Sequence, residues 1–305
     1  MDLTEVLPSP PSFPADEWER CKRSRDFLPI AFEWYRHVGE LNVLIAFIQP
    51  DSPAFIPMPR RHYHVLMGLL TRCSRLILAN MALSHEGKFG ETTAIVDRCI
   101  FESALKVMWL CADPSAERFS RFIADGLRPE LEFNALIERN IALRDGMRLN
   151  IENRMLASID RHFRAGEVTP LTVAAAKKLP DLASMIESLN LGRMLYVAGQ
   201  RLGSHHVHGT WSSLLLHYLE EDEHAADNFV PRAGHVSVHL NQFTFTPTMV
   251  IEALKAYLDL AFTQEDAGPL VALLRNAEAE IMRIAEAAAG DDMLVAEGPT
   301  DDVKA

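Results

Sequence analysis

Residues 91–111 constrain the fold more than any other part of this sequence. Apolar side chains recur there at helical spacing and cover most of the helix circumference: Ile95, Val96, Cys99, Ile100, Phe101, Ala104, Leu105, Val107, Met108 and Trp109. A helix that is apolar on nearly every side must be surrounded by other elements. A second long amphipathic pattern covers 60–84, directly before it. We therefore predict a helical bundle with the 91–111 helix near its centre.

The remaining patterns predict an all-α fold, a single domain of long antiparallel helices over 16–289. Residues 1–15 hold four prolines and predict a disordered arm, whereas 290–305 predict an acidic, flexible tail. The alternation in "HVSVHLNQFTF" predicts a short strand pair or an extended lid near 228–245. We expect the next helix to open at Thr246 and Pro247.

Composition narrows the classes of function. The 305 residues include 42 acidic and 30 basic ones, for a formal net charge of −12. Such a surface repels polyanions unless basic groups are concentrated locally, which argues against a general nucleic-acid coat protein. The four cysteines form no CxxC pair, the first residues lack the basic and apolar pattern of a signal peptide, and no apolar run approaches the roughly 20 residues of a membrane helix. We expect a cytoplasmic protein that contacts no membrane.

One window, residues 188–219, contains no acidic residue but holds Arg201, His205, His206 and His208. Freedom from carboxylates suits a phosphate or carboxylate site. Gly203 is expected to end one helix, with Ser204 capping the next, so that free backbone N–H groups lie beside the histidines. The alternative is a tight helical corner whose histidines pack or face solvent.

A second polar group lies on the otherwise apolar central helix. Arg98 and Glu102 are four residues apart and share one face, which Lys106 continues. This stripe is either the narrow solvent face of the helix or a buried ionic pair that points into a cleft. A buried pair is tolerated only when it is well hydrogen-bonded, and such pairs often mark functional sites.

The spacing of Arg201 to His206 and His208 resembles the R-x(4–6)-H motif of the higher-eukaryote-and-prokaryote nucleotide-binding (HEPN) ribonucleases. In that family the motif lies at a helix junction, and two copies form the site across a dimer. The resemblance implies metal-independent RNA cleavage by a homodimer. Histidine would transfer protons at the attacking 2′-hydroxyl and the leaving oxygen, and arginine would hold the phosphate.

A longer stretch, about 80–210, resembles the domain-of-unknown-function family 5677, a family of bacterial helical proteins. The likeness is carried by Arg98 and Glu102 one turn apart, by Tyr196, and by His208 followed by Gly209. It implies a helical fold and a shared set of polar residues, and it brings no established activity.

Metal chemistry is the competing interpretation of the histidines. His235 and His239 are four residues apart, but no carboxylate follows at a spacing typical of metal ligands, and HExxH is absent. We therefore expect no metal and no cofactor.

Two hypotheses remain open. The first is a HEPN-like metal-independent ribonuclease or nucleotide-handling protein that acts on RNA or a phosphate-bearing ligand. The second is a non-catalytic helical protein that binds a small anionic ligand or a protein partner. The predicted catalytic residues are Arg201, His206 and His208, and the predicted ligand-binding residues are Arg98, Glu102, Tyr196 and His205.

Overall fold

A computed structural model describes residues 7–225 and 228–290, without the side chain of Leu202. The longer helices are α1 (Ala15–Ser24), α2 (Leu28–Ala46), α3 (Arg60–Leu83), α4 (Gly90–Ala112), α5 (Ala116–Gly126), α6 (Arg128–Ala142) and α7 (Asn150–Ala165). Shorter ones follow: α8 (Pro170–Ala175), α9 (Leu182–Ser188), α10 (Arg193–Tyr196), a π-helical turn (Val197–Leu202), α11 (Gly203–His208) and α12 (Trp211–His217). After strands β1 (Leu219–Glu221) and β2 (Phe229–Pro231) come α13 (Leu240–Ala261) and α14 (Gln264–Ala289).

The central helix is α4, which packs against both α3 and α13. Around this trio, α2 contacts α3, α13 and α14. These five helices (α2, α3, α4, α13 and α14) enclose one hydrophobic core. Leu105, Val107 and Leu110 of α4 are fully buried. The prediction of an all-α fold with this helix at its centre is confirmed, because a helix that is apolar around most of its circumference must be surrounded by other helices.

A second, smaller core lies among α5, α6, α7 and α8. Its buried members are Ala124, Ile137, Ile141, Ile159, Phe163 and Val173. Arg61 of α3 ties this part of the molecule to the main bundle by donating from Nη1 to the carbonyl of Gly166 at 3.2 Å. The smaller core thus extends the bundle from one end of α4.

The strand pair is confirmed, although its position differs from the expected one. β1 and β2 pair antiparallel, with Glu220 opposite Val230, so only one strand lies within the predicted 228–245. The expected helix start at Thr246 is wrong, because α13 begins at Leu240 and includes Pro247. His239 provides the start: its Nδ1 accepts from the Asn241 N–H, an N-cap role more typical of Ser, Thr, Asp or Asn.

The predicted arm and tail lie partly outside the described residues. Of the arm, residues 7–15 are described: 7–14 form no helix or strand, Ala15 already begins α1, and Leu7 and Phe13 pack against the main core. Of the tail, only Gly290 is described.

By length and composition, one described helix, α3, could cross a membrane, with a mean hydropathy of 1.3 over 18 residues. It packs between α2 and α4, with Leu66, Leu70 and Ile77 buried among them, as the core helices of bundles do. The expectation that the chain contacts no membrane stays a prediction.

Candidate functional site

The segment 193–208 is one continuous helical run that lies directly on α4. Two glycines permit the close approach: a Cβ on Gly199 would lie 2.4 Å from the Phe101 ring, and one on Gly203 would lie 2.9 Å from the Cβ of Arg98. Gly203 has helical angles, with φ −61° and ψ −29°. The predicted helix end at Gly203 with a cap at Ser204 is therefore wrong, because this glycine serves a helix contact and does not terminate the helix.

The run ends instead after His208, where Gly209 takes the left-handed conformation with φ +55°. His205, His206 and His208 thus occupy the last turn of a helix. The free groups there are carbonyls, and the negative end of the helix dipole favours cations. The backbone consequently offers an anion no N–H donors at this point, so an anion here would depend on side chains, contrary to the expectation from the sequence.

The Arg98–Glu102 pair is a hydrogen-bonded unit between α4 and the π-helical turn. Arg98 Nη2 lies 3.1 Å from Glu102 Oε1, and the two side chains are only 16% and 27% exposed. The Gln200 amide bridges them: its oxygen accepts from Arg98 Nη2 at 3.0 Å and its nitrogen donates to Glu102 Oε1 at 3.3 Å. Lys106 lies 3.9 Å from Glu102 on its other side. Of the two interpretations left open by the sequence, the structure supports the largely buried, bonded pair.

A cavity of about 300 Å³ opens beside this pair. Glu102, Tyr196 and Gln200 line it together with Lys106 and the residues that precede and begin α9. Asp125 and Asp181 also line it, so carboxylates outnumber the lysine. An excess of carboxylates disfavours a phosphate ligand. The cavity includes neither Arg201 nor any of the three predicted histidines.

The histidines are held by hydroxyl groups of the next helix. His206 Nδ1 lies 3.3 Å from the Oγ of Ser213, a residue that is 1% exposed, and His205 Nδ1 lies 2.8 Å from Thr210 Oγ1. The His206 ring also meets the His217 ring edge-on, with centroids 4.6 Å apart. Burial, helped by the neighbouring histidines, lowers the pKa of His206 below its ordinary value. His206 is thereby fixed in orientation and favoured in its neutral form.

Arg201 and His208 are exposed, and within the described part of the chain neither makes a side-chain hydrogen bond or ion pair. They lie seven residues apart on the same helical run as His206, so the structure places all three predicted catalytic residues on one surface segment. They do not meet in a shared cavity within one chain.

Sequence reasoning missed a buried carboxylate whose charge acts on His217, inside the acid-free window. Glu91, at the start of α4, is 8% exposed; its Oε1 lies 3.3 Å from His235 Nδ1, and its Oε2 accepts from the Val236 N–H at 3.2 Å. Burial lowers the pKa of His217, whereas the Glu91 charge raises it. The window that is free of acids along the sequence is therefore not free of them in space, and no local signal connects Glu91 with residues 145 positions away.

Different side-chain roles separate His235 and His239, the two histidines with the spacing of metal ligands. His235 bonds to Glu91, whereas His239 caps α13. Within 7–225 and 228–290, no group of three or more His, Cys, Asp or Glu side chains is arranged to hold a metal ion.

Large apolar side chains are exposed on the segments that carry the histidines. Six large apolar side chains between α10 and β1 are at least 36% exposed: Met194, Val207, Trp211, Leu214, Leu216 and Tyr218. We call these six the α12 face. Apolar exposure of this extent on adjacent elements is typical of interaction surfaces.

Comparison with known proteins identifies one relationship. Residues 63–226, more than half of the chain, match a family of unknown function, DUF5677. No curated protein and no solved structure matches the chain. The matched range includes Arg98, Glu102, Tyr196 and His208, on which the resemblance in the sequence depended. The chain is a member of the DUF5677 family, an uncharacterised family to which its central helices and its histidine segment both belong.

Proposed function

We propose that this protein is a homodimeric, metal-independent ribonuclease whose active site includes Arg201, His206 and His208. One observation carries the proposal: His206 is oriented by Ser213 on a surface that also presents Arg201 and His208 without partners among the described residues. A base held by a third group is the usual arrangement of an activated proton acceptor.

The chemistry follows from the hydrogen bond on Nδ1. If Nδ1–H donates to Ser213 Oγ, Nε2 carries the free lone pair and accepts the proton of the RNA 2′-hydroxyl. The 2′-oxygen attacks the adjacent phosphorus, and the 5′-oxygen leaves with a proton donated by His208. Arg201 stabilises the added negative charge on the phosphoryl oxygens. The products are a 2′,3′-cyclic phosphate and a 5′-hydroxyl, so atoms and protons balance.

The dimer accounts for two features that a single chain leaves unexplained. Arg201 and His208 lie open on the surface, and the α12 face beside them exposes Trp211 and Leu216 to 59% and 60%. Apposition of two copies on this face would cover the apolar side chains and bring a second set of histidines to the first. The four free cysteines are compatible with the reducing cytoplasm in which we propose that the enzyme acts.

The test is cleavage of a fluorescently labelled single-stranded RNA by the purified protein in EDTA. We expect cyclic phosphate ends, and a loss of at least about 100-fold in rate for His206→Ala. His64→Ala, at an exposed histidine on α3, is the matched control and should cleave normally. Absence of cleavage by the wild type, or full activity of His206→Ala, would refute the proposal.

The α12 face favours a second candidate, a non-catalytic protein that binds a protein partner there. The sedimentation coefficients of the wild type and of Leu216→Asp, measured by ultracentrifugation, distinguish the dimeric ribonuclease from the non-catalytic protein. The ribonuclease proposal requires a dimer that Leu216→Asp dissociates with loss of cleavage. Leu171→Asp, on an exposed leucine of α8, should change neither property. A monomeric wild type without cleavage activity would favour the second candidate.

A further inference from the structure

A cavity of about 600 Å³ is lined by residues from near both ends of the described chain, distant in sequence from the histidines. Its walls come from the described N-terminal segment 10–13, from α1, from α2 and from α14. The volume falls within the range of small-molecule sites, which is about 300–1,000 Å³. Nothing in the candidate nuclease site uses these residues, so the cavity needs its own explanation.

Aromatic and proline side chains form its walls. Phe13, Trp18 and Trp34 line it together with Pro10 and Pro11. Trp34 is only 3% exposed, so its indole is held in place by the surrounding side chains. The Trp18 ring contacts the Phe27 ring edge-on, with ring centroids 5.5 Å apart. Rigid aromatic faces that converge on one cavity bind cations through their ring quadrupoles.

One cation already occupies such a face. The Arg283 guanidinium carbon lies 4.1 Å from the centroid of the Trp18 ring, and its Nη2 is 2.5 Å from Glu280 Oε2. The Arg283 side chain is 56% exposed, and exposed ion pairs contribute little free energy. Arg283 therefore marks a cation position and can leave it at small cost.

The polar groups at the rim favour a positively charged ligand. Glu19 and Glu280 contribute two carboxylates, whereas Arg283 is the one basic residue that lines the cavity within the described chain. Glu19 is paired with Lys22 at 3.0 Å on the open surface, where side-chain exposures are 55% and 49%. Asn276 adds an amide that can hydrogen-bond a hydroxyl or carbonyl group.

We propose that this cavity binds an organic cation with a quaternary ammonium head, which lies over Trp18 in place of Arg283 and next to Glu280. A quaternary ammonium suits these walls because it carries a positive charge but no N–H groups. Proline and aromatic carbon atoms offer no hydrogen-bond acceptors, so an N–H group that faced them would stay unpaired. Arg283 acts as an internal competitor that fills the position when no ligand is bound.

The probe is choline, followed through its trimethyl signal in an NMR titration of the full chain. We expect saturable binding. The neutral isostere 3,3-dimethyl-1-butanol, which has the same shape but no charge, should bind at least about fivefold more weakly, because only the cation–π attraction and the carboxylate distinguish the two ligands.

Variants test the geometry. Trp18→Ala should weaken choline binding at least about fivefold, and Trp18→Phe, which preserves packing, should weaken it less. Arg283→Ala should strengthen binding, by about threefold or more, because it removes the internal competitor and frees Glu280. Phe133→Ala, at an exposed aromatic side chain of α6, should leave choline binding unchanged.

Three outcomes would overturn the proposal. They are the absence of saturable choline binding, equal binding of the neutral isostere, and an affinity that falls or stays constant in Arg283→Ala. The last variant alters an exposed residue, so its result does not depend on whether Trp18→Ala folds. None of these measurements depends on RNA cleavage.

Discussion

Asp97 of α4 is a carboxylate inside the main bundle, and its replacement by asparagine should stabilise the protein at neutral pH. Asn80 Nδ2 donates to its Oδ1 at 2.7 Å, and the other oxygen is buried with no hydrogen-bond partner in the described chain. Burial raises the pKa of Asp97 from 3.8 to about 8, and the nearby polar side chains of Thr246 and Gln242 offset only part of this effect.

The magnitude follows from linkage between protonation and folding. In the unfolded chain Asp97 ionises near pH 3.8, whereas in the folded protein it stays protonated up to about pH 8. The folded state therefore binds more protons in this range, and stability is lost as pH rises from about 4 to about 8. Neutral pH lies about 3 pH units above the ordinary pKa, and each pH unit corresponds to about 1.4 kcal/mol. The free energy of unfolding is therefore lower at pH 7 by about 4 kcal/mol because of Asp97.

Asp97→Asn removes the titration and retains an oxygen for Asn80. We expect its free energy of unfolding at pH 7 to exceed that of the wild type by about 2–4 kcal/mol. The assay is urea denaturation of both proteins at pH 5, 6, 7 and 8. The difference should grow by about 1.4 kcal/mol for each pH unit between 5 and 7 and level off above 8.

The matched control is Asp145→Asn, on an exposed turn whose backbone φ of 55° asparagine accepts readily. Its pH dependence should equal that of the wild type. A difference between Asp97→Asn and the wild type that stays constant from pH 5 to 8 would refute the reasoning. So would a variant less stable than the wild type at pH 8.

Three further substitutions test packing and burial. Gly199→Ala should lower the free energy of unfolding by about 1–3 kcal/mol, because its Cβ would meet the Phe101 ring, and an unchanged denaturation curve would contradict the close packing. Gly68→Ala, in the middle of α3 with open space around it, should raise stability by up to about 1 kcal/mol in the same assay. His217→Phe should raise the thermal midpoint of unfolding more at pH 5 than at pH 7. Burial lowers the pKa of His217, so the wild type loses stability as pH falls. Equal increases in the midpoint at both pH values would contradict the burial of His217.

The long helices could be predicted because their signals are local. Periodic apolar residues identified α3 and α4 within a residue of their observed ends, and the nearly continuous apolar surface of α4 predicted its central position. Family membership rests on the match over residues 63–226, which include almost all of α3 and the whole of α4. These properties depend on residues close together in the chain or on their order.

Positions at which one residue type has two physical uses could not be predicted. Gly203 is typical of a helix end, but here its missing side chain admits Arg98 of α4. His239 belongs to an alternating pattern that suggests a strand, yet it caps α13. The role of each residue depends on a partner element more than a hundred residues away or on a backbone turn. A single stretch of sequence shows neither the partner element nor the turn.

By itself, the sequence determined the helical class, the central helix and the residues worth testing: Arg98, Glu102, Tyr196, Arg201 and the three histidines. Only the tertiary structure decided their surroundings. It placed the histidines at the negative end of a helix, brought the Glu91 charge near His217 in a window free of acids, and tied Arg98 to Glu102 and Gln200. The physical reason is that electrostatic environment and burial depend on distance in space, and a sequence orders residues only along the chain.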